Sequence, residues 1–278
     1  MLAALTLPDA TPTSLSYNQW GDENASRVLF CVHGLTRNSM DFEKLALAAA
    51  EKGFRVIAPD MPGRGKSPRL ANPALYNNLV NANLCLQLLG LLKTSKVDWL
   101  GTSMGGMVAM LVANQFPGLI QKLVLNDVGC VVTAASLRRI GEYVGNSPSY
   151  ASFFEAEAAL KNRTQFFSVP NVEWPRFAEN SIEQTADGFR LAYDPAIAQA
   201  FALPEPIADI ELWPLWEAVK KIPTLLVRGE HSDLLSEETA VQMQATHPRL
   251  ARFNVAGAGH APALMTEIEI GAVLGFLQ

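Results

Sequence analysis

From Arg27 to about Asp127, short apolar runs alternate with longer stretches in which apolar residues recur every three or four positions. Runs of four to seven residues such as Val28–Val32, Arg55–Ala58, Val97–Leu100 and Lys122–Asn126 are the length of strands, and too apolar to leave a face in water. Between them, Met40–Lys52, Ala74–Leu92 and Gly105–Gln115 carry the helical period. This pattern predicts successive β-α-β units, hence an α/β fold with a mostly parallel central sheet. Right-handed crossovers then place helices on both faces and gather the carboxyl ends of the strands along one edge, where ligands of open sheets collect. Ser14–Trp20 is a candidate for an earlier, antiparallel strand.

The alternation stops near Cys130 and resumes at Ile222–Arg228. The intervening stretch is interrupted by prolines and holds more than half of the chain's aromatic residues, among them Tyr143, Tyr150, Phe153, Phe166, Phe167, Trp174, Phe177, Tyr193, Trp213 and Trp216. It predicts a mainly helical insertion, residues 130–216, lying as a cap over the sheet edge, with the core formed by residues 1–129 and 217–278. Most of these aromatics are expected to form the insertion's own small core. Some, with Trp174 and Trp213 as candidates, are expected on the underside facing the strand ends.

The 278 residues suffice for one large domain with an insertion. A hydrophobic content of 49% marks a globular chain, and a net charge of -5 argues against a nucleic-acid partner. Cys31, Cys85 and Cys130 have no metal-like spacing, and Cys31 and Cys85 read as small buried hydrophobes. The first residues, Met1 to Pro8, lack the basic flank and long apolar core of a signal peptide, and no stretch is long enough to span a membrane. A cytoplasmic location is expected.

The chemistry concentrates at four strand ends. Gly101-Thr102-Ser103-Met104-Gly105 follows Val97–Leu100 and opens a helix. A serine in so tight a turn presents its hydroxyl outward, and a Cβ at position 101 or 105 would strike the neighbouring strand or helix. Ser103 is the candidate nucleophile, and a free hydroxyl needs an adjacent base to attack at neutral pH. Gly257-Ala258-Gly259-His260 offers that base in a small-residue loop. A carboxylate must orient the imidazole. Asp233, four residues past Gly229, is the leading candidate, with Glu230 and Asp127 as alternatives. Leu29–Val32 runs into His33-Gly34-Leu35, and His33 is expected chiefly to prop that loop through hydrogen bonds, and is also a candidate substrate contact.

With the serine turn, the acid and the histidine in that order, and His33-Gly34 upstream, the chain resembles the α/β-hydrolase family, in its carboxylesterase-like branch with an inserted cap. The resemblance implies that the backbone N–H groups of Leu35 and Met104 form an oxyanion hole. Asp60-Met61-Pro62-Gly63-Arg64-Gly65-Lys66-Ser67 resembles the family's D-x-x-G-x-G-x-S turn, with Asp60 as its anchor; it lacks the spacing of a phosphate-binding P-loop. A serine at position 103 sets the chain apart from the aspartate-dependent dehalogenases and epoxide hydrolases of this fold. The expected activity is therefore hydrolysis of a small or medium carboxylic ester through an acyl-enzyme, without metal or cofactor. Lactones, thioesters and β-diketone-like carbon–carbon substrates are alternatives, as is a ligand-sensing receptor. Arg37 is a candidate contact for a substrate carboxylate, against a surface role or pairing with Asp41.

Overall fold

The computed structural model describes residues 1–146, 148–164, 167–201 and 206–278; Phe166 lies outside the described residues. The chain opens with the antiparallel strands β1 (Leu2–Thr6) and β2 (Pro12–Trp20). The parallel part follows as β3 (Arg27–Val32), α1 (Glu43–Glu51), β4 (Phe54–Pro59), α2 (Asn78–Leu91), β5 (Val97–Thr102), α3 (Met104–Gln115) and β6 (Ile120–Asn126). After the middle segment come β11 (Thr224–Gly229), α8 (Glu237–Thr246), β12 (Leu250–Val255) and α9 (Glu267–Leu277). Among the described residues these strands make one eight-stranded sheet in the order β1-β2-β4-β3-β5-β6-β11-β12. All its pairings from β4 to β12 are parallel.

The sheet is buried on both sides, which is why its strands read as continuous apolar runs. On β3, Phe30 and Val32 join a core with Val80, Leu84 and Leu88 of α2 and Val108 and Met110 of α3. The alternate residues Leu29 and Cys31 join a second core with Leu45 and Ala49 of α1 and Val273 and Leu277 of α9. The chain winds outward from β3 to β4, then crosses back to β5 on the other side. The strand order thus reverses at β3 and β5, opening a crevice at their carboxyl ends.

Helix boundaries differ from the periodic pattern where a cap decides them. The Ala74–Leu92 pattern divides into a 3-10 turn at Pro73–Leu75 and α2, because the Asn77 side chain accepts the Val80 N–H at 3.0 Å and starts a new helix there. The Met40–Lys52 pattern likewise divides into a 3-10 turn at Ser39–Phe42 and α1.

The middle segment holds α4 (Ala134–Val144), α5 (Phe153–Thr164), α6 (Trp174–Ser181), a 3-10 stretch at Pro195–Phe201 and α7 (Trp213–Val219). It also holds strands absent from the helical expectation. The hairpin β8 (Ile182–Thr185) and β9 (Gly188–Leu191) turns on Ala186-Asp187, with Gly188 at φ 122°. The short strands β7 (Val131–Val132) and β10 (Ile210–Glu211) pair antiparallel, fastening the beginning of the segment to its end. Among the described residues no helix is long and apolar enough to cross a membrane.

Candidate active site

β5 delivers Ser103 into a left-handed backbone conformation (φ 52°, ψ -112°) before α3 begins at Met104. The flanking glycines are a steric requirement. A Cβ on Gly101 would lie 2.3 Å from the Gly105 carbonyl oxygen, and one on Gly105 would lie 2.0 Å from that of Val32. Both obstacles are backbone, so neither yields by a change of rotamer. With the turn fixed this way, Ser103 Oγ lies 2.9 Å from His260 Nε2, and His260 Nδ1 lies 2.8 Å from Asp127 Oδ2. Serine, imidazole and carboxylate form a continuous line across three loops.

The carboxylate that meets the imidazole is Asp127, and the expectation for Asp233 is corrected. Asp127 follows β6 and keeps its N–H in the ladder to Val227 of β11 at 2.9 Å. Its left-handed φ of 58° then turns the side chain over the end of β11. There the fully buried carboxylate accepts the Gly229 N–H (3.0 Å) and the Ser232 hydroxyl (2.7 Å) besides His260. Asp233 is carried outward by the same loop and pairs with Arg139 of α4 at the rim, its side chain 51% exposed. Glu230 is also exposed and accepts the Gly257 N–H.

Three residues that the sequence motifs did not single out support this line. Ser232 shares Asp127 Oδ2 with the histidine and accepts the N–H groups of Leu234 and Leu235. Asn126 ties the serine turn to the histidine loop: its Nδ2 donates to Thr102 Oγ1 (3.1 Å) and to the Pro262 carbonyl (2.9 Å), while its own carbonyl accepts the Ser103 N–H (2.9 Å). Arg64, 2% exposed, donates to the carbonyls of Leu35 (2.8 Å) and Pro62 (2.7 Å), and its Nη2 lies 3.8 Å from Met104 Sδ. Burial lowers its pKa to about 10, so it remains a cation at neutral pH. Its place between two glycines, in Gly63-Arg64-Gly65, was the available signal for Arg64; Ser232 and Asn126 become partners only through the tertiary fold.

His33 is fully buried and its ring is committed on both sides. Nδ1 lies 2.7 Å from the Gly34 carbonyl, and Nε2 accepts the Met61 N–H at 2.9 Å. Burial pulls its pKa down to about 3, so it is neutral and props the loop, with no free ring nitrogen for a substrate. Asp60 anchors the adjoining turn by accepting the N–H groups of Ser39 and Lys66. The N–H groups of Leu35 and Met104 border the cavity beside Ser103 and donate to no acceptor among the described residues.

Above the line lies a cavity of about 680 Å³, the size of a small-molecule site. Its walls include Leu137, Ile140, Tyr143, Leu160, Phe167, Phe177, Tyr193 and Phe201 from the middle segment, with Met107 of α3. Trp174 and Trp213 do not line it, contrary to expectation. Trp174 donates Nε1 to Glu157 and packs on Phe177, and Trp213 opens α7 against the core. Arg37 does line it, in a bidentate pair with Asp41. Among the described residues, no cluster of three or more His, Cys, Asp or Glu side chains is arranged for a metal ion.

Residues 27–264 match the family model of the alpha/beta hydrolase fold. A 3-hydroxybutyrate-oligomer hydrolase of Cupriavidus necator is 37% identical over 265 residues, covering 92% of this chain and 90% of that protein. An alpha/beta hydrolase structure from Novosphingobium aromaticivorans superposes with a TM-score of 0.86 at 33% identity, covering all of this chain and 97% of the other. A solved structure from Rickettsia typhi gives 0.92 at 29% identity, covering all of this chain and 98% of the other. With sheet order, serine turn and sequence in agreement over nearly its whole length, the chain belongs to the α/β-hydrolase family.

Proposed function

We propose that this chain is a serine hydrolase of carboxylic esters that works through an acyl-enzyme, with Ser103 as nucleophile, His260 as base and Asp127 as the orienting acid. The observation that carries the reading is the unbroken hydrogen-bonded line from Ser103 through His260 to the buried Asp127. His260 Nε2 takes the Ser103 proton as Oγ attacks the ester carbonyl, and Asp127 holds the Nδ1 proton and stabilises the imidazolium. The N–H groups of Leu35 and Met104 receive the oxyanion, the latter at the positive end of α3. His260 then protonates the departing alcohol, and the same cycle with water releases the acid.

Residues 130–216 act as the cap domain on a core of 1–129 and 217–278. Their aromatic underside suits an aliphatic substrate portion. The name of the Cupriavidus necator relative supports an ester of a short hydroxy acid, a branch of carboxylesterase chemistry. The test is burst and steady-state release of p-nitrophenol from acetyl to decanoyl esters by wild type and Ser103→Ala. Turnover abolished in the variant supports the reading. A stoichiometric burst without turnover would replace it with a ligand-sensing role. Folded protein with neither burst nor turnover would refute ester hydrolysis.

A further inference from the structure

The cavity wall nearest Ser103 contains a polar pair that the acyl-transfer chemistry does not use. Arg37 is 7% exposed, its guanidinium carbon lies 3.9 Å from the centroid of the Phe177 ring, and its Nε and Nη2 donate to the two oxygens of Asp41 at 2.8 and 2.6 Å. Its remaining nitrogen, Nη1, has no acceptor among the described residues. It is not sealed in the interior either, since the sealed unpartnered side-chain atoms among the described residues are Trp99 Nε1 and Asn126 Oδ1. Arg37 and Asp41 both line the cavity, which is the open space beside this unpartnered nitrogen. Once a bound substrate displaces the water there, an N–H in such a place calls for an acceptor from the substrate itself.

The place is close to the reacting centre. The Arg37 N–H donates to the Gly34 carbonyl at 3.2 Å, one residue before Leu35. Arg37 Cγ and Ser103 Cβ lie 3.7 and 3.9 Å from the same point above Gly34 Cα. The Arg37 side chain thus leaves the backbone beside Ser103.

The chemistry of the pair selects among possible groups. An alkyl chain would leave Nη1 unmet. A carboxylate would be drawn to the guanidinium but would also face Asp41, which already balances that charge at bidentate distance. A hydroxyl satisfies both partners, accepting from Arg37 and donating to a free lone pair of Asp41, with no net charge to desolvate. We infer that Arg37 and Asp41 form a hydroxyl-reading subsite, and that the favoured substrates are esters of hydroxy acids. This inference rests on the acyl-enzyme reading of Ser103, and it turns the cavity from a general apolar pocket into a selective one.

The experiment compares kcat/KM for p-nitrophenyl 3-hydroxybutyrate, in both enantiomers, with p-nitrophenyl butyrate and the p-nitrophenyl half-ester of succinate. In wild type, one hydroxybutyrate enantiomer is expected to exceed butyrate by about 10–100-fold, the range of a hydrogen bond to a charged group. Arg37→Gln and Asp41→Asn should each bring that ratio close to one; being a ratio within one protein, it is insensitive to a general loss of active enzyme. Asp41→Asn retains the arginine and carries the test if Arg37→Gln does not fold. A wild-type ratio near one, a ratio unchanged in both variants, or a preference for the succinate half-ester would overturn the inference while leaving ester hydrolysis standing. Absence of burst and turnover on every ester removes the acyl-enzyme reading and the subsite with it.

Discussion

Replacing Asp127 and Asp233 in parallel by asparagine separates two carboxylates that share a strand-end position but not an environment. Asp127 is fully buried and receives three donors, two of them on the oxygen that faces His260. An asparagine there has the same shape, but one of its ends is a donor. If the amide nitrogen faces His260, it forces the tautomer with Nε2–H pointing at Ser103, and the base is lost. If it faces the Gly229 N–H instead, two donors oppose each other in the interior, and the imidazolium still lacks its counter-charge. The expected loss in kcat for Asp127→Asn is about 10³–10⁴-fold, or about 4–5.5 kcal/mol of transition-state stabilisation. Asp233→Asn breaks a pair whose partners are 51% and 42% exposed. Such a pair is worth about 0–1 kcal/mol, so activity should stay within about fivefold. The assay is steady-state hydrolysis of a p-nitrophenyl ester, normalised to folded protein by circular dichroism and a thermal melt. Activity retained within tenfold by folded Asp127→Asn, or lost by more than a hundredfold in Asp233→Asn, would refute the assignment.

Further expectations follow from the same geometry. Gly105→Ala puts a Cβ 2.0 Å from the Val32 carbonyl oxygen, so this variant should be insoluble or melt well below wild type, as measured by thermal denaturation. Ser232→Ala removes one of two donors from Asp127 Oδ2, leaving that oxygen a stronger partner for the imidazolium. The acid limb of kcat/KM should therefore move to higher pH, and an unmoved limb would show that the hydroxyl only braces the loop. His33 stays neutral to about pH 3 when folded, whereas the unfolded chain protonates it at the ordinary value of 6.5. The unfolded state then binds more protons throughout that window, and stability falls with falling pH at up to about 1.4 kcal/mol per unit from this group. Urea unfolding at pH 7, 6, 5 and 4 reads the slope, which His33→Gln should reduce.

The sequence by itself determined the elements that depend on neighbours in the chain. Apolar runs buried on both faces marked the parallel strands. Gly101 and Gly105 marked a turn that only a close backbone approach demands, and their spacing around Ser103 located the candidate nucleophile. The small-residue loop located His260 in the same way. The hairpin at Ile182–Leu191 lies within a segment whose aromatic content suggests helices, and its turn, Ala186-Asp187, is not one of the dipeptides that mark a hairpin. What only the tertiary structure decided was which distant groups meet. Asp127 and Asp233 each follow a strand, and no local feature ranks them. Register between β6 and β11 and a left-handed turn at Asp127 bring its carboxylate to His260, while the next loop sends Asp233 outward to Arg139. Trp174 and Trp213 had the composition of pocket residues, but the orientation of α6 and α7 faces them elsewhere. Arg64, Asn126, Ser232 and the open edge of Arg37 acquire their roles only from partners far away in the chain. Pattern and sterics act over a few residues and are written in order along the sequence; the meeting of side chains across a sheet edge depends on register, twist and packing summed over the whole domain.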